Sequence, residues 1–381
     1  MKKILLLGEN DSIWTKKCIE HSDITGKNDI YALTQGRSKN DAFYNENGIK
    51  ICNLKRHTLF RNIPKVRGLI FRFDYINYIR SLKKKAGNFD VVHISYVIQE
   101  KMMAVRYLRK TSKKIVVTFW GSDLLRVSDK KLAKYRKALG AADVIMLSTH
   151  EMRNRFASVF GNEFDDKIIG LKFGCEGLEH IDPENKGEAR KLFSVPEGKT
   201  VVTVGYNGLE CQNHIKVAET LKKLDKAQRD RLFILLPVTY SLTAEYKKRL
   251  TSSFDALGCG YKMIDSFLDE DEVGKLREST DVFVHAQTTD AFSSSVQEYL
   301  YGRKLVFNPE WIRYKEMKDK GIYYKEYRDY DELRQMISDY LENGLTDEEQ
   351  QKLDQNTRKI WELSSWDSVS EQWNSLYRVD D

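Results

Sequence analysis

Short apolar runs alternate with amphipathic segments along nearly the whole chain, and that alternation constrains the fold more than any other feature. In the first half the runs are KILLLG, DIYAL, IKICNL, DVVHIS, KIVVTF and DVIMLS, closed by KIIGLKFG. A polar stretch then intervenes, CEGLEHIDPENKGEARKLFSVPEGK, with Pro183, Pro196 and several glycines. The alternation restarts with TVVTVG, LFILLP, YKMID, DVFVHA and KLVF. Short apolar strands joined by amphipathic helices predict parallel sheets buried on both faces. Two such units in tandem predict an α/β protein of two Rossmann-like domains, with ligands at the carboxyl ends of the strands in a cleft between them. The expected boundaries are 1–178 for the first domain, 179–199 for a linker, 200–362 for the second domain, and 363–381 for a last helix returning to the first domain. That helix is read from Trp366, Val369, Trp373, Leu376 and Tyr377, which recur at helical spacing.

At 381 residues each half is long enough to bury its own core. The apolar run after Lys2 and Lys3 ends at Leu7, which reads as a first strand and not as a signal peptide. No stretch approaches the roughly 20 apolar residues of a transmembrane helix. Cys18, Cys52, Cys175, Cys211 and Cys259 are scattered and odd in number, as expected of reduced thiols in a cytoplasmic protein.

Charge is uneven. Residues 1–150 carry 30 Lys and Arg against 13 Asp and Glu, a net +17, whereas the whole chain carries +7. Much of this charge lies between Arg56 and Lys85, interleaved with Leu69, Ile70, Phe73, Ile76, Tyr78 and Ile79 as an apolar stripe and Arg67, Arg72, Arg80 and Lys83 to Lys85 as a wet face. Such a segment suits an anionic membrane surface, and peripheral attachment to the inner face of the cell membrane is expected. A nucleic-acid partner is the reading set aside.

The richest chemistry lies in DAFSSSVQEYLYGRKLVF, from Asp290 to Phe307. A strand, a polar loop, Ser293, Ser294 and Ser295, and a helix through Glu298 make a βα turn whose helix N-terminus faces a ligand. Free N–H groups and the helix dipole there suit a diphosphate, and Glu298, about one turn in, can accept hydrogen bonds from a ribose. The pattern is that of a nucleotide-sugar site. It resembles the Glu-x7-Glu element of retaining glycosyltransferases of the GT-B class, with Asp290 in place of the first Glu. The resemblance implies that Glu298 binds the ribose, the serines cradle the diphosphate and Asp290 lies beside the donor sugar.

A second constellation, VVTVGYNGLECQNHIKVAETL, ends a strand at Gly205 and opens a helix at His214 and Lys216 after Asn207 and Gly208. With Tyr240 after LFILLP, it resembles the transferases that add 4-acetamido-4,6-dideoxygalactose to a lipid-linked intermediate of enterobacterial common antigen. His214, Lys216 or Arg303 is expected to neutralise the leaving phosphate without a metal. In the first half VVTFWGSDLLR delivers Gly121, Ser122 and Asp123 to the cleft edge. Asp123 is the candidate acceptor-side base, with His93 as a second, and Gly8 and Asn10 as candidate cleft floor. Asp269-Glu270-Asp271 reads as an acidic helix start and not a metal site, and no Cys or His cluster has zinc spacing. No cofactor beyond the donor is expected.

These readings converge on a hexosyltransferase of cell-envelope polysaccharide synthesis, acting on a nucleotide sugar and a lipid-linked glycan. A nucleotide-sugar 2-epimerase of the same fold and a catalytically silent partner subunit are the alternatives.

Overall fold

The computed structural model describes residues 1–8, 12–34, 38–54, 64–185 and 187–378, with backbone alone at 13, 14, 64–69 and 72. The expected apolar runs are strands. Lys3–Leu7 (β1), Asp29–Thr34 (β2), Lys50–Asn53 (β3), Phe89–Ser95 (β4), Ser112–Thr118 (β5), Val144–Met146 (β6) and Ile168–Ile169 (β7) form one sheet. Thr200–Val204 (β8), Leu232–Pro237 (β9), Gly260–Ile264 (β10), Val282–Val284 (β11), Leu305–Pro309 (β12) and Lys325–Tyr327 (β13) form the other. The strand orders are β3-β2-β1-β4-β5-β6-β7 and β10-β9-β8-β11-β12-β13. Every pairing is parallel. The order reverses between β1 and β4 in the first sheet and between β8 and β11 in the second, the switch points where such sheets bind ligands.

Alternation of side chains across each strand fills both faces of the second sheet. Val202, Val204, Ile234, Leu236, Val284 and Phe307 pack on one side with Val217, Leu221, Leu250 and Ile337. Phe283 and Val306 pack on the other with Val296, Tyr299 and Leu300, and Val201, Phe233 and Leu235 join Leu276 there. Each large apolar side chain buried in this way contributes about 1.5–3 kcal/mol.

Two compact units result: 1–174 with 366–381, and 175–365. The division thus falls at Gly174 and Cys175, ahead of the expected boundary. The stretch 179–199 is not a free linker but part of the second unit. It packs against helix Glu270–Ser279, where a Cβ on Gly274 would stand 1.9 Å from the His180 carbonyl oxygen. Arg190 likewise ties the stretch down, donating from Nε to the Ser279 carbonyl at 3.2 Å.

The last helix, Trp366–Leu376, packs in the core of the first unit beside Ile4, Leu6, Ile19 and Val91. Its Trp366 ring stacks on His21 at 4.5 Å, and Trp373 Nε1 donates to the Lys172 carbonyl at 2.8 Å.

The basic aromatic segment folds as helix Pro64–Ala86; the part of that segment at 56–63 lies outside the described residues. The buried stripe is Tyr75, Ile79, Leu82 and Ala86, joined by Asp74. Phe73 is instead 65% exposed, because the face set by those four residues turns position 73 outward. Among the described residues no helix is long and apolar enough to cross a membrane, and all five cysteines are unpaired.

Candidate functional site

In the second unit, the loops after β8 and β11 meet at the switch point. Gly205 ends β8 with φ +66° and donates its N–H to the Val284 carbonyl at 3.2 Å. The left-handed backbone favours glycine, and so does the packing, since a Cβ would stand 2.6 Å from His214 Nε2. The turn delivers Tyr206, whose hydroxyl meets Gln287 Oε1 and lies 3.1 Å from Asp290 Oδ2. Gln212 Nε2 donates to the same Gln287 oxygen at 2.6 Å. His285 Nδ1 lies 2.9 Å from Asn308 Oδ1, and the Asn308 amide nitrogen donates to two carbonyls, so Nδ1 carries the proton. The other ring nitrogen faces Asp290 at 3.4 Å. Burial, reinforced by the Asp290 charge, pushes the Tyr206 and Tyr314 hydroxyls well above their usual pKa, which keeps both as proton donors. Asp290 is thus set among Tyr206, Tyr314 and His285.

Helix Ser294–Tyr301 starts beside it. Ser293 is the N-cap, its hydroxyl accepting from the Val296 N–H at 3.3 Å. Glu298 follows one turn on, 7% exposed, and is not a free acceptor as the sequence suggested. Its Oε2 accepts from Arg277 Nε at 2.9 Å and forms an ion-pair contact with Nη2 at 2.8 Å, and its Oε1 lies 3.8 Å from the Cys175 thiol. Ser295 Oγ also accepts from Arg277, at 3.1 Å. Asn207 Oδ1 accepts from the Leu209 N–H at 2.9 Å, and its amide lies 3.4 Å from the hydroxyl of Tyr240, a ring 56% exposed.

The three expected phosphate-neutralising cations are not gathered here. His214 is fully buried, and burial pulls its pKa down to about 4, so it is a neutral imidazole that lies 3.2 Å from the Tyr246 hydroxyl. Lys216 lies on the exposed side of its helix with its ammonium over the Tyr330 ring, 5.9 Å from the centroid. Arg303 precedes β12 and so lies at the opposite end of the sheet from Gly205; it pairs with Glu184 and, at 3.9 Å, with Asp354.

In the first unit the two candidate catalytic groups are committed to structure. Asp123 is 3% exposed and accepts three backbone N–H groups, from Val97 at 2.7 Å, Trp120 at 2.8 Å and Gly121 at 3.0 Å. It anchors the loops after β4 and β5, and burial raises its pKa against those hydrogen bonds. Both His93 nitrogens are taken, by Tyr377 at 2.7 Å and Thr118 at 2.8 Å. Burial, helped by Lys101, lowers its pKa to about 4. Gly121 takes φ +121°, and Ser122 Oγ lies 3.4 Å from the Tyr96 hydroxyl. Gly8 follows β1, and Asn10 lies outside the described residues.

Among the described residues, Glu176, His180 and Glu270 could meet on a metal ion, their ligand atoms lying within 4.8 Å of one another. The His180 nitrogens already face Asp271 at 2.8 Å and Glu270 at 3.3 Å, so both ring nitrogens have partners within the protein. Asp269 caps its helix reciprocally with Glu272.

Sequence reasoning missed Tyr206, Gln212, Arg277, His285, Gln287 and Asn308. His285 and Gln287 carried a signal, since they follow the strand before Asp290. Arg277 carried none.

Two Rossmann-like units of this strand order define the GT-B architecture. Residues 3–149 match the model of a family described as glycosyl transferase 4-like. Over the whole chain the fold is similar to a glycosyltransferase from Rickettsia africae, with 15% identity, 99% of this chain and 97% of that one covered, and a TM-score of 0.76. It is also similar to sucrose-phosphate synthase from Thermosynechococcus elongatus, with 13% identity, coverage of 99% and 98%, and a TM-score of 0.74. Anabaena HepE, in complex with UDP and glucose, matches with 13% identity, 98% coverage of both chains and a TM-score of 0.72. At these identities the likeness is one of fold. No curated protein sequence matches the chain.

Proposed function

We propose that this chain is a glycosyltransferase that moves a hexosyl group from a nucleoside-diphosphate sugar to a lipid-linked glycan in bacterial surface polysaccharide synthesis. The carrying observation is the pair of carboxylates Asp290 and Glu298, which flank a serine-capped helix N-terminus at the switch point of the second sheet. Asp290, held at 3.1 Å by Tyr206, suits the hydroxyls of a donor sugar, and Glu298 suits those of a ribose. The helix N-terminus between them favours a diphosphate, so leaving-group charge is offset by the dipole and no metal or cofactor is invoked. The anomeric C–O bond to the diphosphate breaks, a bond to the acceptor oxygen forms, and the acceptor proton leaves with solvent.

The match of residues 3–149 to a glycosyl transferase family supports the same reading. HepE was solved with UDP and glucose, which makes a uridine nucleotide the first donor to try. The basic first unit is the acceptor side, seated at the inner face of the cell membrane. A catalytically silent subunit draws on one observation: the loops 205–213 and 285–295 contain no Lys or Arg. Thermal-shift measurements with UDP-, dTDP-, GDP- and CMP-sugars test donor binding, because a ligand at 100 times its Kd stabilises by about 2.7 kcal/mol. Release of the nucleoside diphosphate with glycosylation of a lipid-linked acceptor is the expected result. Binding of a donor with no transfer to any lipid-linked acceptor overturns the proposed transfer, and stabilisation by none of the four in a folded chain favours the silent subunit.

A further inference from the structure

With His214 neutral, Lys216 on another face and Arg303 at the far end of the sheet, the described cation that reaches the first turn of helix Ser294–Tyr301 is Arg277. Its geometry is unusual for an arginine and a carboxylate. A fork-to-fork pair engages both carboxylate oxygens. Here Nε and Nη2 converge on Oε2 alone, at 2.9 and 2.8 Å, while Nη1 donates to the Tyr299 hydroxyl at 2.9 Å and Nη2 also to Ser295 Oγ at 3.1 Å. Oε1 has, among the described residues, only the Cys175 thiol at 3.8 Å. Gly177 closes on that oxygen without a side chain, since a Cβ there would stand 2.5 Å from it.

We propose that Arg277 is a positioning residue of the nucleotide pocket: by taking Oε2 it leaves Oε1 of Glu298, met only by the weak Cys175 thiol donor among the described residues, for the vicinal hydroxyls of a ribose. The proposal rests on the reading of Glu298 as the ribose acceptor and adds what holds it in place. The clamp is rigid. The guanidinium lies over the Tyr299 ring, 4.5 Å from its centroid, and that ring stacks on Phe283 at 4.1 Å and 14°. The Arg277 and Glu298 side chains keep only 6% and 10% of their exposure, so the pair is held inside the fold. Burial works against the Arg277 charge, but Tyr299 and Glu298 more than offset it and hold its pKa above the usual arginine value. A pre-set acceptor loses little freedom when a ribose arrives.

The test is a preference ratio, which a merely structural role would leave alone. Calorimetry is run with UDP, GDP and their 2′,3′-dideoxy forms on the wild type, Arg277→Met, Arg277→Lys and Glu298→Gln. The wild type is expected to favour one of the ribo forms about tenfold or more, as charge-assisted hydrogen bonds of this kind permit. Arg277→Met is expected to cut that preference to about twofold or less by weakening the ribo form, with the dideoxy form nearly unchanged. Arg277→Lys, which keeps the charge and folds if the unpaired Glu298 of Arg277→Met does not, is expected to lose at least half of the preference. A preference that survives both substitutions, or equal weakening of both forms, overturns the role of Arg277 alone. No preference in the wild type overturns the ribose reading of Glu298, and the role of Arg277 falls with it.

Discussion

No side chain fits between Gly174 and Trp366: a Cβ at position 174 would stand 2.1 Å from the indole. Trp366 opens the last helix and is 2% exposed in the core of the first unit. Gly174→Ala must therefore displace that ring or the backbone beneath it, and overpacking of this kind costs about 1–3 kcal/mol. The expected outcome is a lower melting temperature and faster proteolytic release of the C-terminal segment. An unchanged melting temperature and an unchanged cleavage pattern would show that the helix tolerates the shift.

Glu298→Gln tests the donor reading, and the Arg277 pair changes what it should do. A charge-assisted bond to a ribose hydroxyl contributes about 1.5–3 kcal/mol, so nucleotide affinity should fall roughly tenfold to a hundredfold. The same substitution leaves the Arg277 guanidinium buried without its counter-charge, so stability should fall as well, by as much as about 3–5 kcal/mol if the amide fails to replace the pair. Calorimetry and thermal unfolding on one preparation separate the two effects. Unchanged affinity for every nucleotide that the wild type binds removes Glu298 from the site.

The strands of both sheets were legible because a strand buried on both faces is written as an apolar run, and the element Asp290 to Glu298 because a strand, a capping serine and a helix follow in order. β13 escaped, since KEY within Lys325–Tyr327 buries only Tyr327 fully and has no apolar run. Function assigned by residue type alone misled at His93, Asp123 and His214. His93 and Asp123 stand near strand ends and His214 at a helix start, as catalytic groups would, but only the three-dimensional packing reveals that all three are buried inside the fold. Arg277 was illegible for a related reason: its partners lie 18 to 22 positions away on another helix. No local pattern encodes that convergence.

His93 and His214 give stability a pH dependence of definite sign. Both are neutral in the folded chain, with pKa lowered by burial to about 4 from an ordinary 6.5. Between those values the unfolded chain takes up protons that the folded chain refuses. Stability from each histidine is therefore present above about pH 6.5 and is lost as pH falls towards 4, at up to about 1.4 kcal/mol per pH unit. His93→Gln and His214→Gln should each be less stable than the wild type at pH 7 but lose less on going to pH 5. Denaturant unfolding at pH 7, 6 and 5 measures the slopes, and slopes equal to the wild type would mean that neither ring resists protonation.

The basic first unit yields a prediction about the membrane. Helix Pro64–Ala86 ends in Lys83, Lys84 and Lys85, and of these Lys84 and Lys85 are exposed along with Arg80 and Phe73. They belong to residues 1–150, which carry a net +17. Each Lys or Arg near an anionic leaflet contributes about 1 kcal/mol, and the attraction decays within a Debye length of roughly 8–10 Å at moderate salt. Reversal of Lys83, Lys84 and Lys85 to Glu removes three attractive charges and adds three repulsive ones. Co-sedimentation with anionic vesicles at low salt should be lost in that variant, while nucleotide binding by the second unit is kept. Neutral vesicles should capture neither protein, because exposed Phe73 alone offers too little apolar surface to hold the chain. A wild type that stays in the supernatant with anionic vesicles at low ionic strength would end the membrane reading, and the basic face would then have to serve a soluble anionic acceptor.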